Sequence, residues 1–426
     1  MSAGRASSAA RRTGEATPPH LRLLPGGARR RRSTRAGGGA RLPTATAVLV
    51  LVGALCGVGL VMVLSASAYT SEQYYGSVWT IFERQVLWMA LGAIALVAAA
   101  RVPSAWWRRV RLPLLAGTFA LLLAVLVPGL GVTAGGSSRW IGVGLLRIQP
   151  SEVMKLALAV FAADLLARRA DRTHEFRAVV APLLVVLGAA ALLVLEQPDM
   201  GTAIVLVCIA FCLLYAGGVS LRSVMKTLGV TALVGLVFGL AQPYRRDRLL
   251  SFVNPFAHAK GSGYQVVQSL VGLGSGHLYG LGLGGGREKW GLLPNAHTDF
   301  IFSVVGEETG LVGTLLVLVL FLALAWYGLR AARRAPDRFG ALLAVATTAW
   351  ITSQAVINIG AVCGVLPVTG IPLPFISFGG SSLVITMAAA GILVNVARHE
   401  RPAAPEAGAR PARRPATGGR LRPARR

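Results

Sequence analysis

Apolar stretches about twenty residues long, parted by polar segments, recur along the chain from residue 44 to residue 397. That is the length a helix needs to cross ~30 Å of hydrocarbon. The pattern predicts ten such helices, near 44–66, 80–100, 112–131, 150–167, 178–196, 200–216, 224–241, 309–329, 340–364 and 378–397. The segments between them are short with one exception, residues 242–299, which separate the seventh and eighth helices. A connection that long in a compact protein is usually functional. The expected fold class is an all-α polytopic membrane protein, with ten transmembrane helices and one large extracellular loop between helices 7 and 8. No convincing internal repeat relates the spans, which weakens a transporter built from inverted repeats.

Composition agrees. Of 426 residues, 54% are hydrophobic and only 14% charged, whereas a soluble domain carries about 25% charged residues. The net charge of +26 raises the question of nucleic acid, but much of it lies in the two tails. Residues 1–43 hold ten Arg against Glu15, and residues 398–426 hold nine Arg against Glu400 and Glu406. Both tails are rich in Arg, Pro, Gly and Ala, with almost nothing to build a core, so disorder is expected there. Basic tails beside a membrane orient the protein or touch anionic lipid more often than they bind nucleic acid. With the N-terminus inside, the cytoplasmic segments collect most of the Lys and Arg, which predicts both tails in the cytoplasm. The domain plan is a basic N-tail over 1–43, a membrane domain over 44–397 and a basic C-tail over 398–426. The first 43 residues are too polar for a cleavable signal peptide, so the first span is expected to serve as an uncleaved anchor. Cys56, Cys208, Cys212 and Cys363 all fall inside apolar runs, and no CxxC spacing occurs.

Candidate chemistry gathers at one membrane threshold. PNAHTDFIF (294–302) places His297 and Asp299 just before an apolar run, where an unpaired carboxylate is costly. Thr298 or Asp299 could cap the following helix; alternatively, Asp299 does chemistry at the membrane surface. A straight helix over DFIFSVVGEETG would rise ~18 Å before the apolar run proper begins at Leu311. Phe300, Ile301, Phe302, Val304 and Val305 favour instead a bend near Gly306 and Gly310 that tucks Asp299 into a half-dry cleft. The other acidic candidates of the outer half are Glu152, Glu196, Asp199, Asp247, Glu307 and Glu308.

Glu152 and Lys155 stand at i, i+3 on one helix face, either as a self-neutralising pair that eases insertion or as part of a site. Residues 261–291 hold eleven glycines, which fit a flexible or re-entrant loop or a phosphate cradle of backbone N–H groups. Arg245, Arg246, Arg248, Arg287 and Lys289 lie in the outer loop, against the orientation rule. They suit anionic headgroups or a pyrophosphate, whose oxygens match arginine forks. One carboxylate near several cations at an outer cleft suggests group transfer from a lipid-linked pyrophosphate donor. No metal-ligand cluster, nucleophile elbow or Walker motif occurs in the sequence.

KWGLLPNAHTDFIFSVVGEETGLVG (289–313) and INIGAVCGVLPVTGIPLPFISFGGSSL (357–383) strongly resemble the SEDS family, the FtsW, RodA and SpoVE proteins. LVMVLSAS (60–67), WIGVGLLRIQPSEVMKLAL (140–158), LEQPDMGTA (195–203) and YRRDRLLSFVNP (244–255) fit the same family. GEETGLVG and PFISFGGSS look more like its FtsW branch than its RodA branch. The resemblance implies a ten-span peptidoglycan glycosyltransferase in the bacterial plasma membrane, polymerising lipid II on the outer side for septal wall synthesis. Its implied partners are a class B penicillin-binding protein, which crosslinks the glycan, and other divisome proteins. The resemblance makes Asp299 of the HTDF motif the essential carboxylate and places Glu152 and Lys155 at a position linked to activity.

On that reading Asp299 would act as general base in an inverting transfer. Arg245, Arg248 and Lys289 would stabilise the departing undecaprenyl pyrophosphate, with His297 beside the base as a further substrate-binding candidate. A divalent cation, magnesium or manganese, could assist, although the sequence shows no all-protein site for one. The family commonly has Glu at the position of Asn295, and often Ser and Gln at those of Gly286 and Glu288; these departures leave Asp299 intact. Two other readings stand beside the enzyme. A lipid II flippase predicts polar residues along one route through both membrane faces. A scaffold that only recruits a partner leaves Asp299 and the outer arginines without a task.

Overall fold

A computed structural model describes residues 43–134, 137–143, 146–241, 246–247 and 251–400. Helices dominate: α1 (Thr44–Tyr75), α2 (Thr80–Arg101), α3 (Ser104–Leu126), α4 (Pro150–Arg168), α5 (Ala181–Glu196), α6 (Met200–Ala216), α7 (Leu221–Ala241), α8 (Tyr264–Ser275), α9 (Ile301–Arg334), α10 (Arg338–Val362) and α11 (Gly380–Arg398). Among the described residues, eight helices are long and apolar enough to cross a membrane: α1, α2, α3, α5 with its lead-in from Phe176, α7, α9, α10 and α11. α6 is apolar but shorter, and α4 carries Glu152, Lys155 and Asp164 along its length, all buried.

Several boundaries differ from the expected ones. α1 runs to Tyr75 and stops only where Gly76 turns left-handed (φ 67°). α3 starts at Ser104 and absorbs Pro113. Residues 132–148, expected as a plain connection, hold a three-stranded antiparallel sheet of β1 (Val132–Ala134), β2 (Ser137–Val143) and β3 (Leu146–Ile148). Polar, Gly-rich hairpins at the end of a helix bundle carry none of the long apolar signal that marks a span. Segment 242–299 contains α8, which packs against α9 and α10.

Two apolar cores form. One gathers α3 to α6, and the other gathers α1, α2 and α9. α10 and α11 divide their faces between the two: Trp350 and Ile392 belong to the first, Ile351 and Leu393 to the second. These two helices are therefore the spine on which a site can be held rigidly.

α9 breaks at Gly310 (φ 67°, ψ −162°), the bend anticipated near Gly306 and Gly310. The break frees backbone groups that would be costly to leave unsatisfied in an apolar setting. Residues 277–282 take them up. Leu281 N and Gly282 N donate to the carbonyls of Glu307 and Glu308 (3.0 and 3.1 Å), while Leu311 N and Val312 N donate to those of His277 and Leu278 (3.0 and 3.2 Å). Gly280 (φ 80°) makes the approach possible, since a Cβ there would strike the Glu308 carbonyl. Gly276 and Gly280 thus let one backbone lie on another.

Candidate active site

The turn that carries Asp299 is tied on every side. Asn295 adopts φ 59°, a left-handed conformation to which Asn is better suited than most residues. Its carbonyl accepts from Thr298 N (3.0 Å) and Phe300 N (3.3 Å). Phe378 N donates to the His297 carbonyl (3.0 Å), and the His297 and Phe378 rings pack at 5.8 Å. Phe300 occupies the N-cap position of α9, with no side-chain cap bond. Thr298 Oγ1 donates back to the Asn295 carbonyl (3.2 Å). Phe300, Ile301, Phe302, Val304 and Val305 are all buried, so the apolar start of α9 does hold Asp299 against the protein.

α10 fixes the turn to a second charged group. Asn358 Nδ2 donates to the carbonyls of Asp299 (2.7 Å) and Ile371 (2.8 Å). One turn earlier, Gln354 Nε2 donates to the Pro372 carbonyl (2.9 Å). Gln354 Oε1 accepts from Trp350 Nε1 (2.9 Å) and Lys155 Nζ (2.8 Å). Trp350, Gln354 and Asn358 recur at i, i+4 and i+8, one stripe of a helix. Lys155 Nζ lies 2.7 Å from Glu152 Oε2, with both side chains 1% exposed, and 5.1 Å above the Trp350 ring. Ser382 Oγ donates to the same Glu152 oxygen (3.0 Å).

Asp299, Glu152 and Asp199 open into one cavity of about 760 Å³. Asp199 caps α6 through Thr202 N (3.1 Å) and accepts from Gln149 Nε2 (2.9 Å) and Ser151 Oγ (3.1 Å). Among the described residues, the cations on this cavity are Arg84, Arg139 and Arg147, with Trp88 and Trp140 beside them. Arg139 is anchored by the carbonyls of Gln197 (Nε, 2.9 Å) and Pro198. Arg84 Nη1 donates to the Tyr75 hydroxyl (3.1 Å). Sequence reasoning missed all three, although the signal that singled out Arg245 applied to them: Arg84, Arg139 and Arg147 also lie outside the Arg-rich segments assigned to the cytoplasm.

Other candidates sit elsewhere. Lys289 does not reach the Asp299 cavity: its Nζ is paired with Glu308 Oε1 (2.7 Å), bonded to Ser65 Oγ (2.9 Å) and buried. Its charge is already spent on a carboxylate, which corrects the expectation that it shares a cleft with Asp299. Arg245 and Arg248 lie outside the described residues. His297 is pushed down to about 4 by burial, so it is neutral near pH 7 and packs rather than carries charge.

Glu307 and Glu308 lie beneath the glycine segment, where Arg287 N (2.6 Å) and Glu288 N (3.3 Å) cradle the Glu307 carboxylate. Backbone N–H groups do hold an anion here, and it is a side chain of the protein itself. Burial, aided by the neighbouring Glu307, pushes the Glu288 carboxyl up to about 7. Among the described residues, no three His, Cys, Asp or Glu side chains converge closely enough to hold a metal ion.

The family model of the FtsW, RodA and SpoVE cell cycle proteins matches residues 46–402. The chain belongs to this family. Bacillus subtilis stage V sporulation protein E is 41% identical over 346 residues, which are 81% of this chain and 94% of that protein. The probable peptidoglycan glycosyltransferase FtsW of Mycobacterium tuberculosis is 41% identical over 387 residues, 91% of this chain and 74% of that protein.

Two solved structures share the FtsW/RodA/SpoVE fold seen here. A chain of a peptidoglycan synthase complex that coordinates polymerization and crosslinking matches with TM-score 0.70 and 26% identity, covering 82% of this chain and 96% of that chain. Thermus thermophilus RodA matches with TM-score 0.62 and 25% identity, covering 83% and 97%. The higher identity to FtsW and SpoVE proteins than to this RodA agrees with the FtsW-like reading of GEETGLVG and PFISFGGSS.

Proposed function

We propose that the protein is a peptidoglycan glycosyltransferase that polymerises lipid II at the outer face of the bacterial plasma membrane during septal wall synthesis. The observation that carries this reading is the single cavity into which Asp299 and Glu152 open together, walled by Arg84, Arg139 and Arg147. In the proposed topology ten helices span the membrane, α4 and α6 included, both tails are cytoplasmic, and the cavity faces outward.

The chemistry follows from the cavity. Asp299 takes the proton of the acceptor sugar's 4-hydroxyl as that oxygen attacks the anomeric carbon of the donor. The bond from that carbon to the pyrophosphate breaks with inversion, and undecaprenyl pyrophosphate departs. Negative charge grows on the leaving group, where fixed guanidiniums stabilise it most effectively. Arg84 and Arg147 take the role expected of Lys289, beside any share that Arg245 and Arg248, outside the described residues, have in it. Lys155 neutralises Glu152 and, through Gln354 and Asn358, ties that pair to the Asp299 backbone. A class B penicillin-binding protein is the proposed partner, alongside other divisome proteins.

A flippase would need a polar route to the other face, whereas Glu152, Asp199 and Asp299 share one cavity. Polymerisation of labelled lipid II by the purified protein, with and without its transpeptidase partner, tests the reading. Glycan strands lost with Asp299→Asn support it. Lipid II movement across vesicles without any polymer would replace it by the flippase.

A further inference from the structure

At the opposite end of α4 from Glu152, one carboxylate gathers three guanidiniums. Asp164 Oδ2 lies 2.7 Å from Arg111 Nε and 2.8 Å from Arg168 Nε. Its Oδ1 lies 3.2 Å from Arg108 Nε. Asp164 is 2% exposed, yet the arginine side chains remain 40% (Arg108), 22% (Arg111) and 51% (Arg168) exposed. One arginine would neutralise Asp164, so the cluster keeps a surplus of two positive charges. Orienting a protein by the charge rule requires cations near helix ends, not cations drawn together against their own repulsion. Convergent forks with free N–H donors form a receptor for phosphate oxygens.

We propose that this cluster binds the phosphate of an anionic phospholipid headgroup in the cytoplasmic leaflet. Three observations select lipid. The arginines lie at the start of α3 and the end of α4, at the edges of apolar segments. Trp106 and Trp107 stack edge-on at 5.0 Å beside Arg108, and Trp106 is exposed, as in the aromatic belts found at headgroup level. α3 also exposes Leu112, Leu121 and Leu123 along its length, a surface for acyl chains. Arg108 is further held by its stack on Phe339 (5.5 Å), so at least one fork is ordered before lipid arrives.

Only the choice of leaflet rests on the proposed topology; binding itself does not. The test is native mass spectrometry of the full-length protein in detergent, with phosphatidylglycerol or phosphatidylcholine of matched chains. Wild type is expected to retain phosphatidylglycerol over phosphatidylcholine. R108Q/R111Q leaves Asp164 paired with Arg168, so the fold is kept, and retention should fall roughly 10- to 30-fold. R168Q, which leaves two partners for Asp164, serves as a second variant with the same direction. R333Q, a cytoplasmic arginine outside the cluster, should change nothing. Equal retention of both lipids, or unchanged retention by R108Q/R111Q and R168Q alike, overturns the proposal. So does binding of inorganic phosphate as strong as that of the lipid, which would mark a soluble phosphoryl ligand instead.

Discussion

The side-chain amide of Asn358 donates to the main-chain carbonyl of Asp299 at 2.7 Å, so α10 sets the position of the carboxylate proposed as base. The same amide nitrogen holds Ile371, joining the turn of Asp299 to the segment that closes the cavity. Asn358→Leu keeps the branching at Cγ, though not the volume, and removes the donor from both carbonyls, a change worth about 1–3 kcal/mol for each buried acceptor left unpaired. We predict lower thermal stability and polymerisation reduced at least ~10-fold, assayed well below the unfolding temperature. Wild-type activity in a destabilised variant would leave Asn358 a purely structural residue.

Glu152 and Lys155 form a pair whose two ends have different neighbours. Lys155→Met strands a buried carboxylate and should destabilise by about 3–5 kcal/mol, read as a lower unfolding temperature. Exchanging the two residues restores neutrality but turns a carboxylate toward Gln354 Oε1, which now accepts from Lys155. The exchange should therefore recover part of the stability and none of the activity. Full recovery of both would show that charge balance is all the pair provides.

Gly310 is the hinge on which Asp299 is tucked in. Its φ of 67° disfavours any side chain, and a Cβ would strike the backbone of Leu278 and Gly280. Gly310→Ala should lower stability and displace the first turns of α9, with loss of polymerisation. Gly53→Ala, on α1 with nothing within 4 Å of its Cβ position, is the control and should be silent. Equal behaviour of the two variants in a thermal melt would contradict the packing described for the break.

Glu288 gives a pH dependence of definite sign. Its carboxyl is raised from 4.5 to about 7 by burial and by Glu307, so the folded state holds the proton more tightly than the unfolded chain. The contribution is fully present below pH 4.5 and is lost as pH rises through about 7. Between pH 5 and 8, Glu288→Gln should lose less thermal stability than wild type, with a difference of a few degrees. Parallel melting curves across that range would remove Glu288 as the titrating group.

The orientation is tested by cysteines at Ser262 and Arg333, which should label from outside and inside respectively with an impermeant reagent. Reversed labelling would move the cavity to the cytoplasmic face and end the proposed chemistry.

Much of this was legible in the residues. Long apolar runs mark helices by length alone, and the apolar start at Phe300–Val305 signalled that the chain must turn Asp299 inward. Gly310 was visible as a bend for the same reason. Partners across space were not legible. Lys289 was read as free because nothing in KWGLLPN announces Glu308 or Ser65, which α9 and α1 bring to it. The glycines of 261–291 read as a flexible or re-entrant loop or a phosphate cradle, yet Gly276 and Gly280 pack on the backbone at the helix break and Gly286 lies against Glu307, contacts that no local pattern encodes. Arg84, Arg139 and Arg147 come from three separate elements, α2, β2 and β3, and converge only in the fold.

The central claim is that Asp299 is the base, and one near-isosteric change tests it most directly. Asn fits the same space, so Asp299→Asn should leave membrane expression, melting temperature and partner binding near wild type. As general base its loss should reduce lipid II polymerisation by the purified protein ~10²–10⁴-fold. Near-normal glycan synthesis by the Asn variant, free of contaminating polymerases, would contradict the account and return Asp299 to a structural role in its turn.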